Sequence, residues 1–161
     1  MESFTQEIQE IEASLKAIDH MLFVSFSLIQ DKGILVGILK EMDLTLRKLI
    51  SLILKYEYIK NNLLLSKDSK ENLGLFFSKC AQKYGLSSSD KLGLVRILKL
   101  GNFYKNSEVD FFKEGSIIMI RSGVILKISL PEIKSFFYLT KSFFEGFFER
   151  LGPEIKISRK V

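Results

Sequence analysis

The chain has 161 residues, 47% hydrophobic and 27% charged, with a formal net charge of +5. That is the size of one domain able to bury its own core. A single cysteine, Cys80, excludes an internal disulfide framework and fits a reducing compartment.

The first element is a long amphipathic helix from about Phe4 to Gln30. Phe4, Ile8, Ile11, Leu15, Ile18, Leu22, Phe26 and Ile29 recur at steps of three and four, the spacing of a buried helical face. Met21 to Ile29 is apolar nearly all round, so burial on more than one side is expected there. Gln30-Asp31-Lys32-Gly33 is a polar turn. A second helix from about Ile34 to Asn61 repeats the pattern through Leu35, Ile38, Leu39, Met42, Leu46, Leu49, Ile50, Ile53 and Leu54. The two form an antiparallel hairpin.

Asp68 or Ser69 suits the N-cap of a third helix, about Lys70 to Tyr84, stopped by Gly85. Ser87-Ser88-Ser89-Asp90 precedes a fourth, about Lys91 to Lys105, which Gly93 and Gly101 weaken. The period then shortens. Val109–Phe112, Ile117–Ile120 and Val124–Ile128 are short apolar runs, and the last two read as a β-hairpin around Arg121-Ser122-Gly123. Pro131 suits the first turn of a final helix rich in phenylalanine, Phe136 to Phe148, which Gly152-Pro153 ends. The expected fold is mainly α. It is an up-and-down bundle of about five helices with one small β-hairpin near 117–128, a single domain over 1–152 and a tail over 153–161.

The first twelve residues hold Glu2, Glu7, Glu10 and Glu12, the opposite of a basic secretory leader, and no uncharged run approaches a membrane span. A cytoplasmic protein with no membrane partner is expected. Residues 1–30 carry five acids and one lysine, so the positive charge lies in the remainder and points weakly toward a polyanion.

Most familiar chemistry is missing. There is no G-x-x-x-x-G-K loop and no G-x-G-x-x-G turn. One cysteine and one histidine cannot build a Cys/His zinc site, so neither metal nor cofactor is expected. His20 is the only imidazole. At about 1.5 Å per residue on each arm of the hairpin, it stands level with Asp43, one turn from Arg47. His20, Asp43 and Arg47 are therefore the catalytic candidates, although a lone histidine is more often structural. Lys79, Lys83, Lys91, Arg96 and Lys99, with Tyr84, Phe103 and Tyr104, are the nucleic-acid candidates, set against a merely solvated lysine face. The phenylalanine helix reads first as core. Its width suggests that part of it meets a second subunit.

Asp19-His20-Met21-Leu22-Phe23-Val24-Ser25-Phe26-Ser27-Leu28-Ile29, Leu54-Lys55-Tyr56-Glu57, Lys83-Tyr84-Gly85-Leu86-Ser87, Glu108-Val109-Asp110-Phe111 and the passage Leu130 to Phe144 together resemble an uncharacterised archaeal family of small helical proteins. The architecture is similar to HEPN domains. That resemblance implies an up-and-down bundle, a homodimer, and either a metal-independent ribonuclease or a non-catalytic partner of a nucleotidyltransferase. The HEPN nuclease motif places a histidine a few residues after an arginine. Here Arg47 is followed at those positions by Leu52, Ile53 and Leu54, and Arg96 by Gly101, Asn102 and Phe103. The expected function is therefore a non-enzymatic HEPN-like interaction domain binding a protein or RNA. The alternatives are an unconventional ribonuclease or a basic nucleic-acid-binding module.

Overall fold

A computed structural model describes residues 2–106 and 109–159, with side chains over 3–106 and 111–151. Glu108 and residues 160–161, the end of the expected tail, lie outside the described residues. The fold is mainly helical. Helix α1 is α-helical over Glu2–His20, passes through a π turn at Met21–Ser25 and ends with Phe26–Leu28. Helix α2 spans Lys32–Ile59, and α3 spans Ser69–Leu75 with a π turn at Phe76–Cys80. Helix α4 is Ser88–Lys105 and α5 is Leu130–Arg159. Strands β1 (Val109–Lys113), β2 (Ser116–Arg121) and β3 (Val124–Ser129) form one antiparallel sheet in that order.

Helix α2 is the axis of the bundle, packing on α1, α4 and α5. Asp31 starts it, its carboxylate accepting the Gly33 N–H at 2.9 Å. Leu35, Ile38, Met42, Leu46, Leu49 and Ile53 are fully buried along it. In α1 the stripe from Phe4 to Phe26 is buried as the periodicity requires.

The end of α1 corrects two expectations. Ile29 is exposed, and so are Val24 and Leu28. The helix stops at Leu28, before Ile29 can turn inward. Met21 and Leu22 pack on the core, Phe23 meets the Phe137 ring and Phe26 the Phe112 ring.

Helix α3 starts on Asp68, whose side chain accepts from Lys70 N at 2.9 Å. It ends where Gly85 takes φ +78 and the Leu86 N–H reaches the Ala81 carbonyl. That left-handed stop suits glycine. Ser87 and Asp90 form a reciprocal capping box at the start of α4.

Gly101 weakens α4 as a helix but permits its packing. A Cβ there would overlap the Asp43 carboxyl, so the glycine sets how closely α4 approaches α2.

The sheet has one strand more than the expected hairpin. Val109–Lys113 pairs with β2 through a two-residue turn at Glu114-Gly115, just as β2 pairs with β3 through Ser122-Gly123. Both turns have positive φ at both residues, the conformation that matches strand twist. Ile117, Met119 and Ile128 form the fully buried inner face.

Helix α5 also departs from expectation by continuing through Gly152-Pro153 to Arg159. Proline's fixed φ is compatible with a helix, and what it forfeits is one backbone N–H donor. Phe136, Phe137, Phe143, Phe144 and Phe147 are all buried within the chain. Of the rings that suggested a second subunit these five are core, and Phe148 is half-buried against them.

Candidate functional site

The last turns of α2 place Glu57 on the stripe already occupied by Ile50, Ile53 and Leu54. An acid there must be buried, and Glu57 is 2% exposed. Burial without partners would cost several kcal/mol (about 3–5 for a stranded charge). Four hydrogen bonds from three side chains prevent this. Lys83 Nζ donates to both carboxylate oxygens at 2.8 Å, Tyr84 donates its hydroxyl to Oε1 at 2.5 Å, and Asn62 Nδ2 donates to Oε2 at 2.7 Å. The turn that closes α3 presents Lys83 and Tyr84. Asn62 is brought back by the bend at Asn61, φ 59, and by its own N–H on the Glu57 carbonyl at 2.9 Å.

The ionisation states follow. Burial raises the Glu57 pKa, but the bonds from Lys83, Tyr84 and Asn62 and the Lys83 charge outweigh it. The carboxyl is held below its ordinary range. Tyr84 is pushed well above the ordinary phenol range by burial and then by its bond to Glu57, so it serves as a donor. Burial also raises the thiol of Cys80, with the Glu57 charge adding to the effect and Lys83 opposing it. The buried Cys80 is thus held as an unreactive thiol.

Around this cluster the surface is basic and aromatic. Tyr56 and Tyr84 each pack edge-on against the buried Phe147, at 6.3 and 5.6 Å. Lys60 lies over the Tyr56 ring and Arg150 over the Tyr84 ring, at 5.6 and 5.4 Å. Together with Glu57, Asn62 and Lys83 they line an open cleft of about 470 Å³. Asn62 also lines a neighbouring cleft of about 800 Å³, with Tyr58, Ile59, Asn61, Leu75 and Lys79. Tyr58 is half exposed. Glu57 is neutralised internally, and Lys79 and Arg150 sit on no carboxylate among the described residues. The outer charge of this face is positive.

The residues singled out in the sequence are distributed differently. Asp43 is 1% exposed, bonded to Arg47 Nε at 2.9 Å and facing Lys105 Nζ at 3.9 Å. His20 is exposed and takes no part in that cluster. Hairpin register fixes height but not direction around a helix. His20 lies two residues, about 200°, from the buried Ile18 and so faces away from α2.

The five cations do not form one patch. Lys79 is exposed on the larger cleft, while Lys83 is tied to Glu57. Arg96 is tied to Glu132 at 2.5 Å. Lys91 and Lys99 lie along α4, which runs back from the Glu57 end of α2 to its Asp43 end. These ends are about 20 Å apart at the helical rise.

Sequence reasoning passed over Glu57, Asn62 and Arg150. The available signal was an acid at core spacing after Ile50 and Ile53.

Fold and site define a helical bundle with a small sheet, with the hydrogen-bonded Glu57 carboxylate buried under a basic, tyrosine-rich surface. Comparisons with protein-family models, curated proteins and solved structures return no match.

Proposed function

We propose that the chain is a non-enzymatic helical interaction domain of HEPN-like architecture whose partner is single-stranded RNA. The reading rests on one observation. The acid at the end of α2 is buried and internally paired, which leaves Lys79 and Arg150 beside Tyr58, Tyr84, Asn61 and Asn62 on one continuous face. Cations neutralise phosphates, and tyrosine rings stack on unpaired bases. The amides of Asn61 and Asn62 supply donors and acceptors to base edges. Catalysis has no comparable support, because His20 stands apart from the Asp43–Arg47 pair.

Fluorescence anisotropy with a short labelled RNA tests the reading. Binding is expected to favour single strand over duplex and to weaken in Arg150→Ala and Tyr58→Ala. RNA incubated with the protein in EDTA is expected to remain intact. Cleavage lost in His20→Ala would establish the ribonuclease alternative instead. The homodimer implied by the resemblance is checked by light scattering, where a monomer at all concentrations would remove it.

A further inference from the structure

An antiparallel sheet with one face on the core ordinarily alternates apolar inward and polar outward. Strand β2, Ser116-Ile117-Ile118-Met119-Ile120-Arg121, does not. Its inward Ile117 and Met119 are fully buried, and its outward positions are Ile118 and Ile120. The register extends that outward face. Phe111, Ile118 and Lys127 are cross-strand neighbours, and Ile120 pairs with Ile125. Phe111 is 38% exposed and Ile125 64%. A strand apolar on both sides is the pattern of a strand covered on both sides, yet this chain covers only one.

Two features say what covers the other. The outward rows carry Lys113 and Lys127 and no acid, so two copies face to face would gather four lysines and no carboxylate. That disfavours a second copy and favours an acidic partner. The sheet also ends at β3, with no further strand on its far side among the described residues. Ile125 and Lys127 stand on the outward face of that edge. A partner with its own backbone can bond to the unpaired edge groups, which a lipid surface cannot.

We propose that the free edge of β3 accepts an extended acidic peptide strand from another protein. Its carboxylate lies beside Lys127 and an apolar side chain two residues away lies beside Ile125, while the body of the partner beyond that strand packs over Ile118 and Phe111. Cross-strand pairs of this kind are the unit of sheet stabilisation. This surface is separate from the proposed RNA-binding face around Asn62, Lys79 and Arg150.

The test titrates the full chain with a synthetic peptide of repeating Leu-Thr-Glu-Thr, which sets leucine and glutamate two residues apart on one face of a strand. Controls are its leucine–lysine counterpart, a version N-methylated along one edge, and phosphatidylglycerol vesicles. Binding of the acidic peptide is expected, with amide shifts in β3. At least about a tenfold loss is expected in Lys127→Glu, and a similar loss on N-methylation. Ile125→Thr, which keeps strand propensity, guards against misfolding and is also expected to weaken binding.

Equal binding of the basic peptide, or no binding of the acidic one, overturns the proposal. So does a concentration-dependent dimer that Ile125→Thr abolishes, because the occupant is then a second copy. Vesicle binding lost in the same variant overturns it in favour of lipid.

Discussion

Replacing Glu57 with glutamine tests the buried network at the end of α2. The carboxylate accepts four hydrogen bonds, from Lys83 (two), Tyr84 and Asn62. Glutamine keeps the shape but offers one acceptor oxygen. Its amide group turns donors toward Tyr84 or Asn62, both of which donate to the carboxylate in the native chain and must reorient to accept. Lys83 is 44% exposed and can turn to water, so its charge is not stranded. The loss is then the bond from whichever of Tyr84 and Asn62 faces the amide NH2, the charge assistance of the bond that remains, and the cost of turning the opposed donor, about 2–4 kcal/mol. Urea unfolding followed by circular dichroism near pH 7 measures it.

The pH dependence has a definite sign. The folded carboxyl titrates below its ordinary 4.5. Its stabilisation is therefore complete above about pH 5 and is lost as pH falls through the folded value. The stability gap between the native chain and Glu57→Gln should narrow from about pH 5 toward about pH 3. A gap under about 0.5 kcal/mol, or one that does not change with pH, would refute the network as described.

The glycines of α2 and α4 should respond oppositely. Gly37→Ala, with open space around it, should gain about 0.5–1 kcal/mol. Gly101→Ala should lose about 1–3 kcal/mol despite better helix propensity, because its methyl meets Asp43. Equal signs in thermal melts would contradict the packing of α4 on α2. Thr45 Oγ1 is buried without a hydrogen-bond partner among the described residues, so Thr45→Val should be neutral or raise stability by about 1 kcal/mol. A clear loss would mean that the hydroxyl has a partner. Cys80 should react with a thiol reagent at least about a hundredfold more slowly in the folded chain than in urea. Comparable rates would show that the core under Tyr84 opens readily.

Much of this fold was legible because apolar spacing is a one-dimensional record of burial. The stripes of α1 and α2, the Asp68 and Ser87 caps and the Gly85 stop all stand where local chemistry puts them. What escaped depended on direction around an axis or on distant chain. His20 has the height of Asp43 but the wrong azimuth. Strand β1 needed Glu114-Gly115 to be read as a turn, and no residue near Gly101 announces Asp43 as its neighbour. Glu57 was half legible. Its spacing marks it as buried, but Lys83, Tyr84 and Asn62 reach it from another helix and a bend. The phenylalanines of α5 overstated the apolar face, because α1, α2 and the π turn of α3 already cover it.

The most direct test of the proposed RNA-binding face is the salt dependence of affinity for single-stranded RNA, compared between the native chain and a Lys79→Ala, Arg150→Ala double variant. Each phosphate contact contributes a slope of about −0.7 in log K against log salt. Losing two cations should therefore flatten the slope by about 1.4 while thermal stability stays close to that of the native chain. An unchanged slope, or affinity indifferent to salt in both proteins, would contradict the placement of the RNA on this face.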